Sequence, residues 1–67
     1  MADVQLELSA REAKELRTAL SIRLVGMREE LTHTDDREYR AYVRAALERL
    51  EGVFARLEQV MGGAAKT

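Results

Sequence analysis

The chain contains no cysteine, no proline and no tryptophan. Lacking cysteine, it has no disulfide staple, no thiolate nucleophile and no Cys-based zinc site. Lacking proline, it has few obligatory breaks in helical structure. Aromatic residues make up only 4% of it, so ring surface is scarce. An excess of one charge sign is also missing. Residues 1–33 carry five basic and six acidic groups, residues 34–67 carry six of each, and the net charge is −1. Neither half has the basic surplus that counterion-release binding to nucleic acid requires. No apolar run approaches the roughly 18–20 residues of a membrane span. The opening MADVQLELS has neither a basic n-region nor an apolar h-region, so a secretory signal is not expected and a cytoplasmic location is.

What remains is a short chain that is 46% hydrophobic and 34% charged over 67 residues. A single domain is the ceiling at this length. A core this small rarely supplies more than about 3–5 kcal/mol unless oligomerisation, metals or disulfides help. Nine of the eleven cations are arginine. Arginine suits interfacial ion pairing better than lysine, although GC-rich coding produces the same bias.

Val4-Gln5-Leu6-Glu7-Leu8 alternates apolar and polar residues, the period of a half-buried strand. A lone strand cannot satisfy its ladder. Two readings of residues 4–8 follow: a strand paired with its copy in another subunit, or an extended arm packed on the helices. Ser9-Ala10-Arg11-Glu12 then fits a capping box and predicts a helix from Ala10. Along it Ala13, Leu16, Leu20, Leu24, Met27 and Leu31 fall within roughly 40° of Leu20 at about 100° per residue. A weaker apolar set, Ala19, Ile22, Val25 and Gly26, lies on the opposite side. It is either scattered exposed apolar surface, which is common, or a second side that other protein must cover.

Helix-capping residues interrupt the pattern at Thr34-Asp35-Asp36, and Asp35 followed by Glu38 repeats the capping-box spacing. The second helix carries Tyr39, Val43, Ala46, Leu50, Phe54, Leu57 and Met61 on one stripe, which Tyr42, Leu47, Val53 and Val60 widen to roughly 140°. Gly62-Gly63 is expected to end it through a left-handed C′ glycine. Two helices of about 24 and 26 residues, joined by a short turn, fold back antiparallel.

Arg37, Arg40 and Arg44, then Glu48, Glu51 and Glu58, follow one side of the second helix, with the small residues Ala41, Ala45, Gly52 and Ala55 on or beside it. The simpler reading is a solvated face with an Arg44–Glu48 pair at i,i+4. The alternative is an antiparallel seam between subunits, with Arg37 opposite Glu58 and Arg44 opposite Glu51.

Chemistry-bearing patterns are sparse. His33 lies beside Thr34, Asp35 and Asp36, but metal ligation needs three or four convergent ligands and capping accounts for both acids. Glu29 and Glu30 point to different sides, and no Ser or Thr has a base at a telling spacing. The terminal GGAAKT echoes a phosphate-binding loop but has Ala65 and Val60 where that motif needs glycine. No catalytic, cofactor-binding or metal residue is assigned.

A strand followed by two helices is similar to the ribbon-helix-helix repressors. Here, however, the outward positions of the strand are Gln5 and Glu7, and the first helix is far longer. By architecture alone, an RNA-binding dimer similar to the Rop bundle is a further parallel. Leu16, Leu20, Arg23-Leu24 and the run from Arg28 through Glu29-Glu30-Leu31-Thr32-His33-Thr34-Asp35-Asp36-Arg37-Glu38-Tyr39 to Arg40 resemble a group of short, uncharacterised bacterial proteins. These carry a Thr-Asp-x-Arg-x-aromatic turn between two helices. The resemblance spans roughly residues 4–60 and implies a bacterial source and a helical hairpin, with no activity, cofactor or binding residue attached.

The sequence therefore predicts an all-α antiparallel hairpin, with helices at about 10–33 and 36–61 and a strand or arm at 4–8. Residues 1–61 form one domain and residues 62–67 a flexible tail. The expected assembly is a homodimeric four-helix bundle whose core and interface draw on Leu20, Ile22, Val25, Met27, Tyr42, Leu47, Leu50, Val53, Phe54 and Leu57. The expected role is a non-catalytic protein-interaction or scaffolding module. The alternative is a small antitoxin-like or repressor-like regulator of nucleic acid. Another protein bound through the apolar helix faces is the further partner expected, and no membrane is. Replacing His33 with Ala is expected to leave stability within about 0.5 kcal/mol of wild type. Bound zinc or nickel that disappears in His33→Ala would contradict the reading of the turn as a cap.

Overall fold

The computed structural model describes residues 3–65 of the chain, with side chains as far as Gly62. Two helices form: α1 spans Ala10–His33 and α2 spans Arg37–Ala65. They pack on each other as an antiparallel hairpin, and no strand occurs among the described residues. Residues 3–9 lie outside both helices.

The start of α1 follows from its capping chemistry. The Glu12 amide donates to Ser9 Oγ at 3.1 Å, and the Ser9 amide donates to Glu12 Oε1 at 2.9 Å. Two amides that the first helical turn leaves without partners are thereby satisfied reciprocally. At α2 the cap is Asp36, one residue later than the Asp35–Glu38 spacing suggests. Asp36 Oδ1 accepts from the amides of Glu38 at 2.9 Å and Tyr39 at 3.2 Å. These are the second and third helical amides, the pair that an N-cap carboxylate reaches.

The expected stop at Gly62-Gly63 is corrected, because α2 continues to Ala65. No glycine among the described residues takes a positive φ. Glycine within a helix costs about 1 kcal/mol relative to alanine without forbidding the helical conformation. Ala64 and Ala65 are the strongest helix formers, and no proline follows to stop the chain. Lys66 and Thr67 lie outside the described residues.

Leu24 and Met27 of α1 and Val43 and Leu47 of α2 form the buried core, with Leu31, Ala46, Leu50 and Phe54 packed against it. All four buried side chains lie in the half of the hairpin nearer the turn. Leu20, at the middle of the α1 stripe, and Leu57 and Met61 toward the open end are only partly covered. Leu47 thus belongs to the seam between the helices and does not lie on an open flank.

Arg40 locks the turn. Its Nη1 donates to the carbonyl of Leu31 and, at 3.1 Å, to that of Thr34. Both carbonyls belong to the C-terminal end of α1, where helical acceptors lack amide partners and a cation meets the negative end of the macrodipole. A side chain from the first turn of α2 therefore caps α1. Replacing Arg40 with Met should lower unfolding free energy by about 1–3 kcal/mol, since partly buried carbonyls lose a charged donor. A urea midpoint indistinguishable from wild type would show that the turn holds without it.

Candidate interaction faces

Two helices side by side form one layer, and the chain as a whole, its N-terminal arm included, extends 46 × 28 × 16 Å. Such a layer has two broad faces and two outer edges. Cross-helix contacts identify the two faces. On one, Arg28 Nη2 meets Glu51 Oε2 at 2.8 Å and Arg17 Nη1 meets Glu58 Oε2 at 3.3 Å. Helical periodicity puts Lys14, Ser21, Val25, Arg44, Glu48 and Ala55 on that same side. This is the charged face.

The opposite face is marked by the Tyr39 hydroxyl donating to Glu30 Oε1 at 3.3 Å. Tyr39 and Tyr42 stack there, with ring centroids 6.4 Å apart and planes inclined at 28°. The same periodicity adds Leu16, Ala46, Val53, Leu57 and Val60. At its far end the N-terminal arm meets α2. Leu6, Leu8, Val53, Leu57, Val60 and Met61 line a shallow groove there, together with Ala13 of α1 and the charged Arg56. Tyr42 is 69% exposed, Val60 70% and Leu6 75%. This is the apolar face.

The residues singled out from the sequence therefore separate into three groups. Met27 and Leu47 are buried between the helices, and Leu20, Leu50, Phe54 and Leu57 are half-buried beside them. Tyr42 and Val53 are exposed on the apolar face. Val25 is exposed on the charged face, and Ile22 is exposed on the outer edge of α1. There Arg11, Lys14, Glu15, Thr18 and Ala19 surround Ile22 in a shallow depression.

The Arg/Glu side of α2 is likewise divided. Glu51 and Glu58 pair with α1, and Arg40 caps α1, so three of the six charges are engaged within the hairpin. An intersubunit seam using all six would have to break those contacts. The Arg44–Glu48 pair of the solvated-face reading is not among the ion pairs of the described residues, which are Arg17–Glu58 and Arg28–Glu51. Sequence periodicity missed Arg17, Arg28 and Arg40 as cross-helix partners. The signal available for Arg17 and Arg28 was their place on one flank of the α1 stripe, roughly 60–80° from Leu20 at about 100° per residue.

No group of three or more His, Cys, Asp or Glu side chains capable of holding a metal comes together among the described residues. His33 ends α1 and is exposed. No helix among the described residues is long and apolar enough to cross a membrane. No family model matches the chain, and no curated protein or solved structure matches it significantly.

Gly26 and Gly52 occupy helix interiors, and a Cβ built on either meets nothing within 4 Å. Gly52→Ala should therefore stabilise the hairpin by about 0.5–1 kcal/mol through helix propensity and reduced chain entropy. A loss of stability measured by thermal or urea unfolding would mean that another backbone approaches that side of α2.

Proposed function

We propose that this chain is a small non-catalytic protein-interaction module that works as a homodimer, two hairpins stacked as a four-helix bundle. The observation that carries this reading is surplus surface. The hairpin exposes 5869 Å², whereas a compact monomer of 7.6 kDa exposes only about 4,300 Å². Its radius of gyration is 14.3 Å, against about 11 Å for a compact chain of this length. The excess of about 1,600 Å² is twice what one partner contributes to an interface of standard size. Domains ordinarily need two packed layers to enclose a core, and this chain provides one.

The exposed arm fits the same reading, because a second hairpin offers Val4 and Leu6 cover, either as a paired strand or as a packed arm. We propose a bacterial source on the turn resemblance, and a cytoplasmic location with it. A nucleic-acid regulator is the second reading. Against it stand the balanced charges of both halves and the engagement of Arg17, Arg28 and Arg40 within the hairpin.

Sedimentation at micromolar concentration is the direct test. The expected mass is twice 7.6 kDa, with a melting temperature that rises with protein concentration, as mass action demands of a coupled dimer. A monomer at high micromolar concentration would overturn the homodimer. Binding to duplex DNA or RNA with a steep salt slope would favour the regulator.

A further inference from the structure

Building on the homodimer reading, we infer that the dimer interface is the apolar face (Leu16, Tyr42, Val53 and Val60, with Leu6 of the arm) and that its occupant is the same face of a second copy. The two faces of the layer differ in what covering them would cost. On the charged face a partner would strip water from the Arg17–Glu58 and Arg28–Glu51 pairs. Burying ions demands compensating contacts that generally no more than break even. The opposite face is not free of charge, since Arg56 lines its groove and helical periodicity puts Arg23 and Arg49 beside it. It holds neither of the two cross-helix ion pairs, however, and it offers valine, leucine and tyrosine surface at about 25 cal/mol per Å² removed from water. Glu30, the acid within it, already accepts the Tyr39 hydroxyl.

Area and width select a second copy as the occupant. Two helices, each about 10–12 Å across with side chains and packed with axes about 8–10 Å apart, present a face about 20 Å wide. A lone helical peptide would leave nearly half of that face wet. An identical hairpin matches it in both length and width and buries the same patch on both subunits, the isologous arrangement of two-fold dimers. Net charge opposes this pairing only weakly, since each chain carries −1. The arm strengthens the assignment. Leu6 and Leu8 converge with Val53, Leu57, Val60 and Met61 on one groove, so the arm adds apolar surface to this face.

The test compares surface substitutions on the two sides by sedimentation equilibrium of the full chain. Val60→Glu and Val53→Glu should each weaken dimerisation by about 100-fold or more, since a carboxylate enters a desolvated centre. Val25→Glu and Arg44→Glu, on the charged face, should change it by less than about threefold, in the range of solvated charges. The absence of cysteine permits a second measurement that does not rely on disrupting the dimer. A nitroxide on Val60→Cys should show intermolecular broadening, and one on Glu48→Cys should not. If Val25→Glu dissociates the dimer while Val60→Glu leaves it intact, the apolar-face interface is overturned and the homodimer stands. If both sides weaken it equally, or the Glu48→Cys label broadens, the interface assignment also fails. A wild-type chain that is monomeric throughout overturns the homodimer itself.

Discussion

Two cylinders laid side by side meet along a single seam, and the width of that seam limits what this chain can bury. Each helix turns only a narrow stripe toward its neighbour, so most of every turn remains in water. Leu24, Met27, Val43 and Leu47 fill the seam. Side chains roughly 80–140° further round from Val43 and Leu47, such as Val53 and Tyr42, already lie in solvent. The consequence is geometric and would hold for any sequence folded this way. A one-layer hairpin with apolar flanks beside its seam leaves those flanks in water unless something else covers them.

Charge determines which way the incomplete core faces. Arg17–Glu58 and Arg28–Glu51 are half-exposed pairs, and such pairs contribute at most about 1 kcal/mol each. Their larger effect is on sidedness. By spanning the seam on one surface they tie the charged flanks of both helices together there, leaving the opposite surface to Tyr42, Val53 and Val60. Arg40 acts differently. It satisfies backbone carbonyls at a helix end, where the alternative is an acceptor with no partner, and so it constrains the turn more than the surface pairs constrain the helices.

How much of this was legible from the sequence depends on how local each determinant is. The limits of α1 could be read because Ser9 and Glu12 form a complete local code three residues apart. The start of α2 shifted by one because Asp35 and Asp36 are both competent caps, and only the path of the turn decides between them. Its end moved from Met61 to Ala65 because the glycine pair permits a left-handed stop without compelling one, and nothing nearby in the sequence enforces it. The stripes were visible as periodicity, but not which part of each stripe would be buried. That depends on the depth at which the helices meet, which is set by the three-residue connection and the Arg40 cap. Leu47 therefore looked like a flank residue and proved to be core. For the same reason Glu51 and Glu58 looked available to another subunit and are held by α1.

The location of the core also bears on how folding and association are related. All four fully buried side chains lie toward the turn, where the capping contacts of Asp36 and Arg40 are also concentrated. The open end relies on Leu20, Leu57 and Met61, none of them fully covered, and on an arm that crosses it with Leu6 and Leu8. Hairpin closure near the turn is local in sequence and entropically inexpensive, because only a short loop is closed. The open end gains little from closure alone, since its apolar groups remain wet afterwards. A second hairpin over the apolar face would contribute most at that open end, where Val53, Val60 and Leu6 lie. Stability would then be distributed between a turn-proximal half ordered by the chain itself and a distal half whose order depends on a partner. In such a molecule, association and the completion of folding would be one equilibrium, because the surface proposed to drive dimerisation is the surface the monomer cannot bury.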